Sequence, residues 1–357
     1  MFDHLKNKII RGDRFDFSDG VGLYKMPLSE LGYLANYANK LKNDKKVYYN
    51  KNLHLNHTNI CAQKCKFCSF YRDKNDKDAY TMDIDFIKKN ISKYDVSEID
   101  EVHIVGGLNP DLPFSYYEEL MSTVKTSISG VKVKAFTAVE IDFFAKKFRK
   151  SYSEILELLS AAGLDSMPGG GAEVFAERAR NIICPGKLSG EKWLEIHKIA
   201  HQHGIKTNAT MLYGHVETNE ERVEHLIKLR ELQDLTGGFQ AFIPLAYHPV
   251  NNEIEKKYYT TGQEDLKQIA VSRLMLDNFK NIKAYWVMLT PAVAQTALSF
   301  GANDIDGTIH EERITDAAGS KSGRGIGEDD LINLIKSAGY NPVKRDTLYN
   351  ELVSTLC

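Results

Sequence analysis

The chain has 357 residues, 43% of them hydrophobic, so it is long enough to bury one large core or two average ones. Its 46 basic and 48 acidic residues leave a formal net charge of −2, which favours neither nucleic acid nor an anionic membrane surface as a partner. We find no apolar run of about eighteen residues and no signal-peptide pattern, and Cys184 and Cys357 are isolated in the sequence. These features predict a cytoplasmic protein without a disulfide framework.

Apolar runs typical of buried strands alternate with amphipathic helical segments over most of the chain. The strands that we predict, in chain order, cover residues 47–56, 102–106, 131–139, 164–167, 206–213, 239–246, 282–289 and 298–303. Eight strands that alternate with helices predict an α/β fold, a (β/α)8 TIM-type barrel. We expect one domain, with a barrel core at 47–327, an N-terminal helical extension at 1–46 and a C-terminal helical extension at 328–357.

Three cysteines, Cys61, Cys65 and Cys68, follow the first predicted strand with the spacing CxxxCxxC. Three thiolates can hold three irons of a cubane [4Fe–4S] cluster and leave the fourth iron open, whereas an electron-transfer ferredoxin normally ligates all four irons. A zinc ribbon would need a second Cys or His pair at a fixed offset, which this sequence lacks. The spacing therefore favours a [4Fe–4S] cluster with one open iron, and a non-catalytic iron–sulfur or zinc module is the alternative.

In a parallel barrel the functional residues lie where the strands end, and several unusual residues occur there in this sequence. Gly106 and Gly107 follow the second predicted strand, and a Gly-Gly turn lets the backbone approach a ligand closely. A run of three glycines at 169–171 follows the fourth predicted strand. The side chains that follow strands and are further candidates are His57, Tyr71, Arg72, Glu140, Glu173, Arg178, Met211, His215 and His248.

A second possible metal site consists of His197, His201 and His203, because the first two are spaced i, i+4 on one predicted helix. The apolar stripe of that helix places it on the outside of a barrel, far from the strand ends. We therefore interpret these three histidines as structural residues. A zinc-protease motif is also excluded at His310, because residue 314 is isoleucine and not histidine.

The cysteine loop resembles that of the radical S-adenosylmethionine (SAM) enzymes, which share CxxxCxxC with an aromatic residue before the last cysteine, here Phe67. The resemblance implies that the open iron chelates SAM and that an electron from the reduced cluster releases a 5′-deoxyadenosyl radical. It implies an electron donor such as flavodoxin or ferredoxin. It also implies that the turn at Gly106 and Gly107 binds the SAM amino group. Together with Phe67 and this turn, we predict contacts with the cluster region or SAM for the strand-end residues Glu140, Glu173, Arg178 and Met211.

The wider resemblance is to the menaquinone and deazaflavin branch of these enzymes. It rests on the stretches 56–61, 66–72, 168–173, 214–218, 232–234, 237–239 and 302–308. Two further segments, 183–187 and 245–249, most resemble the branch members that make aminodeoxyfutalosine in menaquinone biosynthesis. The implied reaction adds the adenosyl radical of SAM to 3-[(1-carboxyvinyl)oxy]benzoate, with rearrangement and loss of carbon dioxide. The alternative within the branch is a sister cyclase that abstracts hydrogen and makes cyclic dehypoxanthinyl futalosine.

The implied substrate has two carboxylates, which need hydrogen-bond donors in the site. Tyr71 and Arg72 follow the cysteine loop directly, so we expect them near the cluster and the SAM carboxylate. The candidate donors for the substrate carboxylates are His57, Arg72, Arg178, Arg180, His215 and His248. Of these candidates, we predict catalytic contacts for His57, Arg72, His215 and His248, together with Tyr71.

Overall fold

The computed structural model describes residues 2–256, 258–320, 322 and 325–352. Cys357 and the rest of the predicted C-terminal extension beyond residue 352 lie outside the described residues. None of the described helices has both the length and the apolar composition needed to cross a membrane.

The strands of the described residues are, in chain order, β1 (Lys46–Asn50), β2 (Asn52–Leu55), β3 (Glu101–Ile104), β4 (Lys132–Ala135), β5 (Ser166–Met167), β6 (Lys206–Tyr213), β7 (Phe239–Ala246), β8 (Asn281–Ile282), β9 (Asp304–Gly307) and β10 (Asn341–Lys344). Strands β2 to β8 form one sheet in which neighbours in the chain are neighbours in space. Every one of these pairings is parallel. Parallel neighbours need crossover connections, which the helices provide.

The helices are α1 (Phe2–Arg11), α2 (Phe17–Leu23), α3 (Leu28–Asn43), α4 (Ile84–Ile91), α5 (Phe114–Ser127), α6 (Ala138–Phe148), α7 (Tyr152–Ala161), α8 (Glu177–Ile183), α9 (Gly190–Gln202), α10 (Asn219–Thr236), α11 (Gly262–Met275), α12 (Trp286–Leu289), α13 (Pro291–Ala297), α14 (Ile314–Ala317) and α15 (Glu328–Ser337). Helices α1 to α3 form the N-terminal extension, and α3 packs against α11. The buried faces of the helices contribute to one continuous apolar core.

A second, three-stranded sheet in the order β10-β1-β9 completes the ring of strands. An isolated parallel bridge joins Lys283, just after β8, to Asp304 in β9. A second bridge joins Leu53 in β2 to His310, just after β9. The strands therefore curl into the α/β TIM-type barrel that the sequence predicts.

Five of the described helices start at a reciprocal capping box, in which the side chains of two residues three positions apart satisfy each other's backbone N–H groups. The pairs are Asp16 with Asp19, Thr137 with Glu140, Ser151 with Glu154, Thr218 with Glu221, and Thr261 with Glu264. Thr290 caps α13, and Pro291 occupies the first helical position, where its fixed φ and missing N–H are tolerated.

The prediction of an eighth strand at 298–303 is wrong. Residues Leu298–Phe300 form a 3₁₀ turn, and Gly301 follows with a φ of 99°. The strand at this position of the barrel is β9, four residues of which two are aspartates, so no apolar run marks it in the sequence. Seven strands are thus in the larger sheet, and β9 fills the gap between its ends.

Three further strand boundaries differ from the prediction. The predicted first strand divides into β1 and β2, which belong to different sheets. The predicted third strand ends at Ala135, because Thr137 already caps α6. The seventh is only Asn281–Ile282, and its apolar continuation forms α12. The C-terminal extension contains the predicted helix, α15, and also β10, which pairs with β1.

Candidate active site

A cavity of about 340 Å³ lies at the carboxyl ends of the strands and extends into the barrel lumen. Its upper wall contains the cysteine loop, the turn at Gly106 and Gly107, and the glycine run at 169–171. Its lower wall contains charged side chains from inside the strands, among them Glu101 and Lys134. The three sequence motifs that looked unusual therefore meet in one place.

All three cysteines of the CxxxCxxC sequence line this cavity. Cys65 is buried, Cys61 and Cys68 are half-buried, and none of the three forms a disulfide. Burial raises the pKa of the Cys65 thiol to about 12. A thiolate at this position therefore needs a cation beside it, such as a bound iron or an ammonium group.

Main-chain hydrogen bonds hold the cysteine loop against two other loops. Ala62 N–H donates to the carbonyl of Leu108 over 3.0 Å, which ties the loop to the glycine turn after β3. Lys66 N–H donates to the carbonyl of Ile183 over 2.9 Å, which ties it to the end of α8. Lys64, between these two anchors, adopts a left-handed φ of 49°. These contacts fix the direction in which the loop presents its thiols.

The cysteine loop fits a cubane cluster better than a single metal ion. Among the described residues, no three His, Cys, Asp or Glu side chains are arranged around one metal ion. A structural zinc site needs four ligands that converge on one point, whereas a cubane binds each thiolate through a different iron. Three cysteines spread along one cavity wall are a suitable donor set for a [4Fe–4S] cluster.

Gly106 and Gly107 form a turn in which a side chain at either position would force neighbouring atoms to move. A Cβ atom added at Gly107 would overlap the carbonyl oxygen of Ile60 and lie 2.7 Å from its carbonyl carbon. A Cβ atom added at Gly106 would lie 2.5 Å from Cε1 of His57. The turn is therefore packed directly on the backbone that leads into the cysteine loop, and its own backbone lines the cavity.

Glu140 links this turn to the start of α6. Its carboxylate accepts hydrogen bonds from the N–H of Gly106 over 3.2 Å and from the N–H of Thr137 over 2.7 Å. Burial raises its pKa to about 7, although these hydrogen bonds act in the opposite direction. The side chain lines the cavity and can therefore meet a bound ligand.

The glycine run after β5 brings the backbone close to β6. A Cβ atom at Gly169 would lie 2.7 Å from the carbonyl oxygen of Asn208. Glu173, at the end of this run, forms an ion pair of 2.5 Å with Lys187, and both side chains are more than nine-tenths buried. The ammonium of Lys187 also lies 5.3 Å from the ring centroid of Phe67 in the cysteine loop.

Comparison with known proteins agrees with this geometry. Residues 55–229 match the Radical SAM superfamily, and residues 236–355 match the CofH/MqnC C-terminal region. The chain is 46% identical to an aminodeoxyfutalosine synthase of Thermus thermophilus, over 98% of this chain and 95% of that protein. It is 43% identical to an aminodeoxyfutalosine synthase of Streptomyces coelicolor, over 98% of this chain and 93% of that protein. The chain belongs to this family of radical SAM enzymes.

The chain is also similar to a transferase with a different name and, in fold, to two solved structures. The chain is 38% identical to a 5-amino-6-(D-ribitylamino)uracil–L-tyrosine 4-hydroxyphenyl transferase of Methanococcoides burtonii, over 98% of this chain and 99% of that protein. Methylornithine synthase superposes with a TM-score of 0.76 at 17% identity, covering 95% of this chain and 97% of that one. An FeFe-hydrogenase maturase from Carboxydothermus hydrogenoformans superposes with a TM-score of 0.74 at 13% identity, covering 98% of this chain and 80% of that one. The structural matches support the barrel fold only.

Four of the other predicted site residues line the cavity in this synthase-family chain. Phe67 and Tyr71 line it beside the cysteines, and the Tyr71 hydroxyl donates to Glu253 over 3.2 Å. His248 also lines it, with Nε2 3.0 Å from the carbonyl oxygen of Met288. Glu173 also lines the cavity, where its carboxylate pairs with Lys187.

Three predicted residues lie behind the cavity wall. His57 is fully buried under Gly106, where burial lowers its pKa to about 3. Met211 is fully buried in the apolar core. His215 is buried with Nε2 3.0 Å from the carbonyl oxygen of Leu212, and its Nδ1 accepts from Val216 N–H. These side chains support the residues that line the cavity.

Two of the three predicted arginines make ion pairs away from the cavity wall, whereas Arg180 is buried and donates to the carbonyls of Ala172 and Val174. Arg72 donates from Nε to Asp78 over 2.7 Å and from Nη1 to the carbonyl of Ser69. Arg178 is exposed and donates to both carboxylate oxygens of Glu221. In this structure, therefore, both guanidinium groups already have carboxylate partners outside the cavity.

Two features of the site were missed by reasoning from the sequence. The first is Lys187, whose only signal was its position in the family-like segment 183–187. The second is a set of polar residues, mostly inside strands, that we call the lumen floor: His54, Glu101, His103, Lys134, Asn208, Lys283 and Asp306. The available signal was Lys134, which lies between Val133 and Ala135 in β4.

The histidines of α9 do not form a metal site. Nδ1 of His197 lies 2.8 Å from the hydroxyl of Thr207, and Nε2 of His201 lies 2.9 Å from the same hydroxyl. Nδ1 of His201 lies 2.7 Å from the hydroxyl of Thr236. These hydrogen bonds connect α9 to β6 and α10, which is the structural role that we expected.

Proposed function

We propose that this chain is an aminodeoxyfutalosine synthase, which joins the adenosyl group of SAM to 3-[(1-carboxyvinyl)oxy]benzoate. The observation that carries the proposal is 46% and 43% identity to two such synthases over nearly the whole chain. A cysteine-lined cavity at the carboxyl ends of the strands supports it. Rearrangement and loss of carbon dioxide then give aminodeoxyfutalosine, and methionine is released.

Cys61, Cys65 and Cys68 would hold a [4Fe–4S] cluster as thiolates, and Lys187 would place a positive charge beside it. When bound, this cluster supplies the open iron that chelates SAM and the electron that cleaves it to a 5′-deoxyadenosyl radical. An electron donor such as flavodoxin or ferredoxin would reduce it. The free thiols and the cluster require a reducing compartment, so we expect the reaction to occur in the cytoplasm.

The turn at Gly106 and Gly107 would bind the SAM amino group, because its backbone faces the cavity without side chains in the way. Glu140 is positioned to accept a hydrogen bond from a ribose hydroxyl or from the SAM ammonium. Tyr71 and His248 also line the cavity and would contact the benzoate substrate or SAM.

The walls of the cavity would protect a primary carbon radical. Such a radical reacts with nearby C–H bonds, so the enol-ether carbon must be held within about 3–3.5 Å of it. The lining includes Val105, Leu108, Ile243 and Leu245, whose apolar surfaces exclude water. Glu140 and Glu173 also line the cavity, and hydrogen bonds or an ion pair already fix their carboxylates.

An anaerobic product assay tests the proposal. Reconstituted, reduced enzyme is incubated with SAM and the benzoate ether, and products are identified by mass spectrometry. We expect a product that carries the adenosyl skeleton, formed together with methionine and carbon dioxide. Free 5′-deoxyadenosine as the main product would overturn the synthase proposal and support the sister cyclase, which abstracts hydrogen. Iron and sulfide analysis on the same sample separates both from a zinc-binding module.

A further inference from the structure

The lumen floor is an unusual filling for a parallel barrel. Layers of branched apolar side chains normally fill the lumen of such a barrel. Here the strand register places His54 beside His103, and His103 beside Lys134, on neighbouring strands. The two imidazole rings have centroids 4.7 Å apart. Asn208 and Lys283 complete the layer from the other side of the cavity.

The charges of the lumen floor are balanced in pairs. Lys134 donates to Glu101 over 2.7 Å, and Lys283 donates to Asp306 over the same distance. Both lysine side chains are 2% exposed. Burial lowers the pKa of His54 to about 4, so this imidazole is neutral near pH 7. The floor therefore carries no surplus positive charge, but it does carry buried ammonium groups.

The hydrogen-bonding capacity of the floor is only partly used. An ammonium group has three N–H donors, and each lysine makes one hydrogen bond to the described residues. Nε2 of His54 and Nε2 of His103 are buried and have no partner among the described residues. Buried polar groups in folded proteins are nearly always paired, so unpaired polar atoms on residues that line a cavity indicate a ligand or ordered water.

The chemistry of these donors selects the class of ligand. The unused N–H groups of the two lysines need acceptor atoms, which the sulfonium and ammonium groups of SAM do not supply. A carboxylate supplies acceptor oxygens without protons, and charge-assisted hydrogen bonds to it are strong when solvent is excluded. An aromatic carboxylate also suits the position, because the floor and the cysteine loop line the same cavity and a ring bound at the floor would extend into that cavity.

We propose that the lumen floor binds the ring carboxylate of the benzoate substrate, with Lys134 and Lys283 donating to its oxygens. This inference rests on the proposed function, because it assigns a subsite for that substrate. The carboxylate would hold the ring upright in the lumen and direct the enol ether towards the cysteine loop. The floor would thereby select a substrate with an acidic group at the far end of the ring.

The test compares the benzoate ether with its analogue in which a carboxamide replaces the ring carboxylate. With the wild-type enzyme, we expect the analogue to show a KM at least about tenfold higher, because it loses a charge-assisted interaction. Equal KM values for the two compounds in the wild type would overturn the floor assignment without any variant. The adenosyl product formed from the normal substrate reports separately on the proposed function.

The variant arm uses Lys283→Met together with Asp306→Asn, which removes the ion pair without leaving a buried charge unpaired. Asn is suitable at this position because Asp306 has a left-handed φ of 68°. We expect the KM for the benzoate ether to rise at least about tenfold and the preference over the carboxamide to disappear. The KM for SAM and the iron content should not change.

The matched control is Lys125→Met, because Lys125 pairs with Asp165 outside the cavity wall. We expect this variant to keep both KM values and the preference for the carboxylate. If wild type makes the adenosyl product but the Lys283 variant keeps the wild-type preference, the floor holds water and our assignment is overturned. If wild type makes no adenosyl product, the proposed function itself has failed.

Discussion

The rim of the cavity and its floor present polar groups in different ways. The rim, which we define as the three cysteines with Gly106, Gly107 and the glycine run at 169–171, offers thiols and bare backbone on loops. The floor offers charged side chains, most of them on strands and paired with charges of the neighbouring strand. Close backbone approach constrains the rim, whereas charge pairing constrains the floor. Substitutions at the rim should therefore disturb cofactor chemistry, and substitutions at the floor should disturb substrate binding.

The largest expected effect is at the rim. Cys65→Ala removes the most buried of the three thiols, and we expect it to lose the cluster and all measurable product formation. The measurement is iron and sulfide content after anaerobic reconstitution, followed by the product assay. Cys184→Ala is the matched control, because Cys184 is a buried free cysteine in the same apolar cluster but lies outside the CxxxCxxC sequence. A fall of its iron content by about a quarter or more would mean that the ligand set is misassigned.

A smaller but still large effect is expected from the backbone of the rim. Gly107→Ala places a methyl group against the carbonyl of Ile60, so the start of the cysteine loop must move. We expect product formation to fall about a hundredfold, the loss typical of a displacement near 1 Å in a reacting site. Gly262→Ala is the control, since its added Cβ meets only Val293, at 3.7 Å. If Gly107→Ala is as active as this control, close packing of the glycine turn is not required.

The smallest effect concerns Glu140, which joins the rim to the barrel wall. Burial raises its pKa to about 7, so the folded protein holds a proton that the unfolded chain releases above about pH 4.5. The raised pKa stabilises the fold at low pH, and this contribution is lost as the pH rises towards 7. Between about pH 4.5 and about pH 7, the free energy of unfolding of the wild type should decrease by roughly 1–3 kcal/mol relative to that of Glu140→Gln. Denaturant unfolding at several pH values measures the difference, and parallel pH curves would contradict it.

The part of the site that is local in sequence could be predicted from sequence. The three cysteines lie within one short loop, and their spacing alone indicates a cluster. The glycine turn is also local, because both glycines needed for close approach are adjacent in the chain. Resemblance to a known family then gave the reaction, which composition and spacing could not provide.

The lumen floor could not be predicted in the same way, because its pairs are distant in sequence. In β4, Lys134 follows Lys132 at a spacing of two, which is also typical of a solvent-exposed strand face, and only the barrel brings Lys134 to Glu101. Strand β9 was missed for a related reason. Its two aspartates point to buried partners, such as Arg345 for Asp304, that the local pattern does not show. Amphipathic periodicity assumes that buried strand positions are apolar, and this assumption fails inside the lumen.

The pairing of β1 with β10 affects the order in which the protein can fold during its synthesis. Tyr48 and Val343 are register partners, although they stand near opposite ends of the chain. Contacts between such distant residues form late, because a long loop must close first. The ribosome must therefore synthesise the chain through residue 344 before β10 can pair with β1. Until then, the strand that precedes β2 and the cysteine loop has one edge without its partner strand.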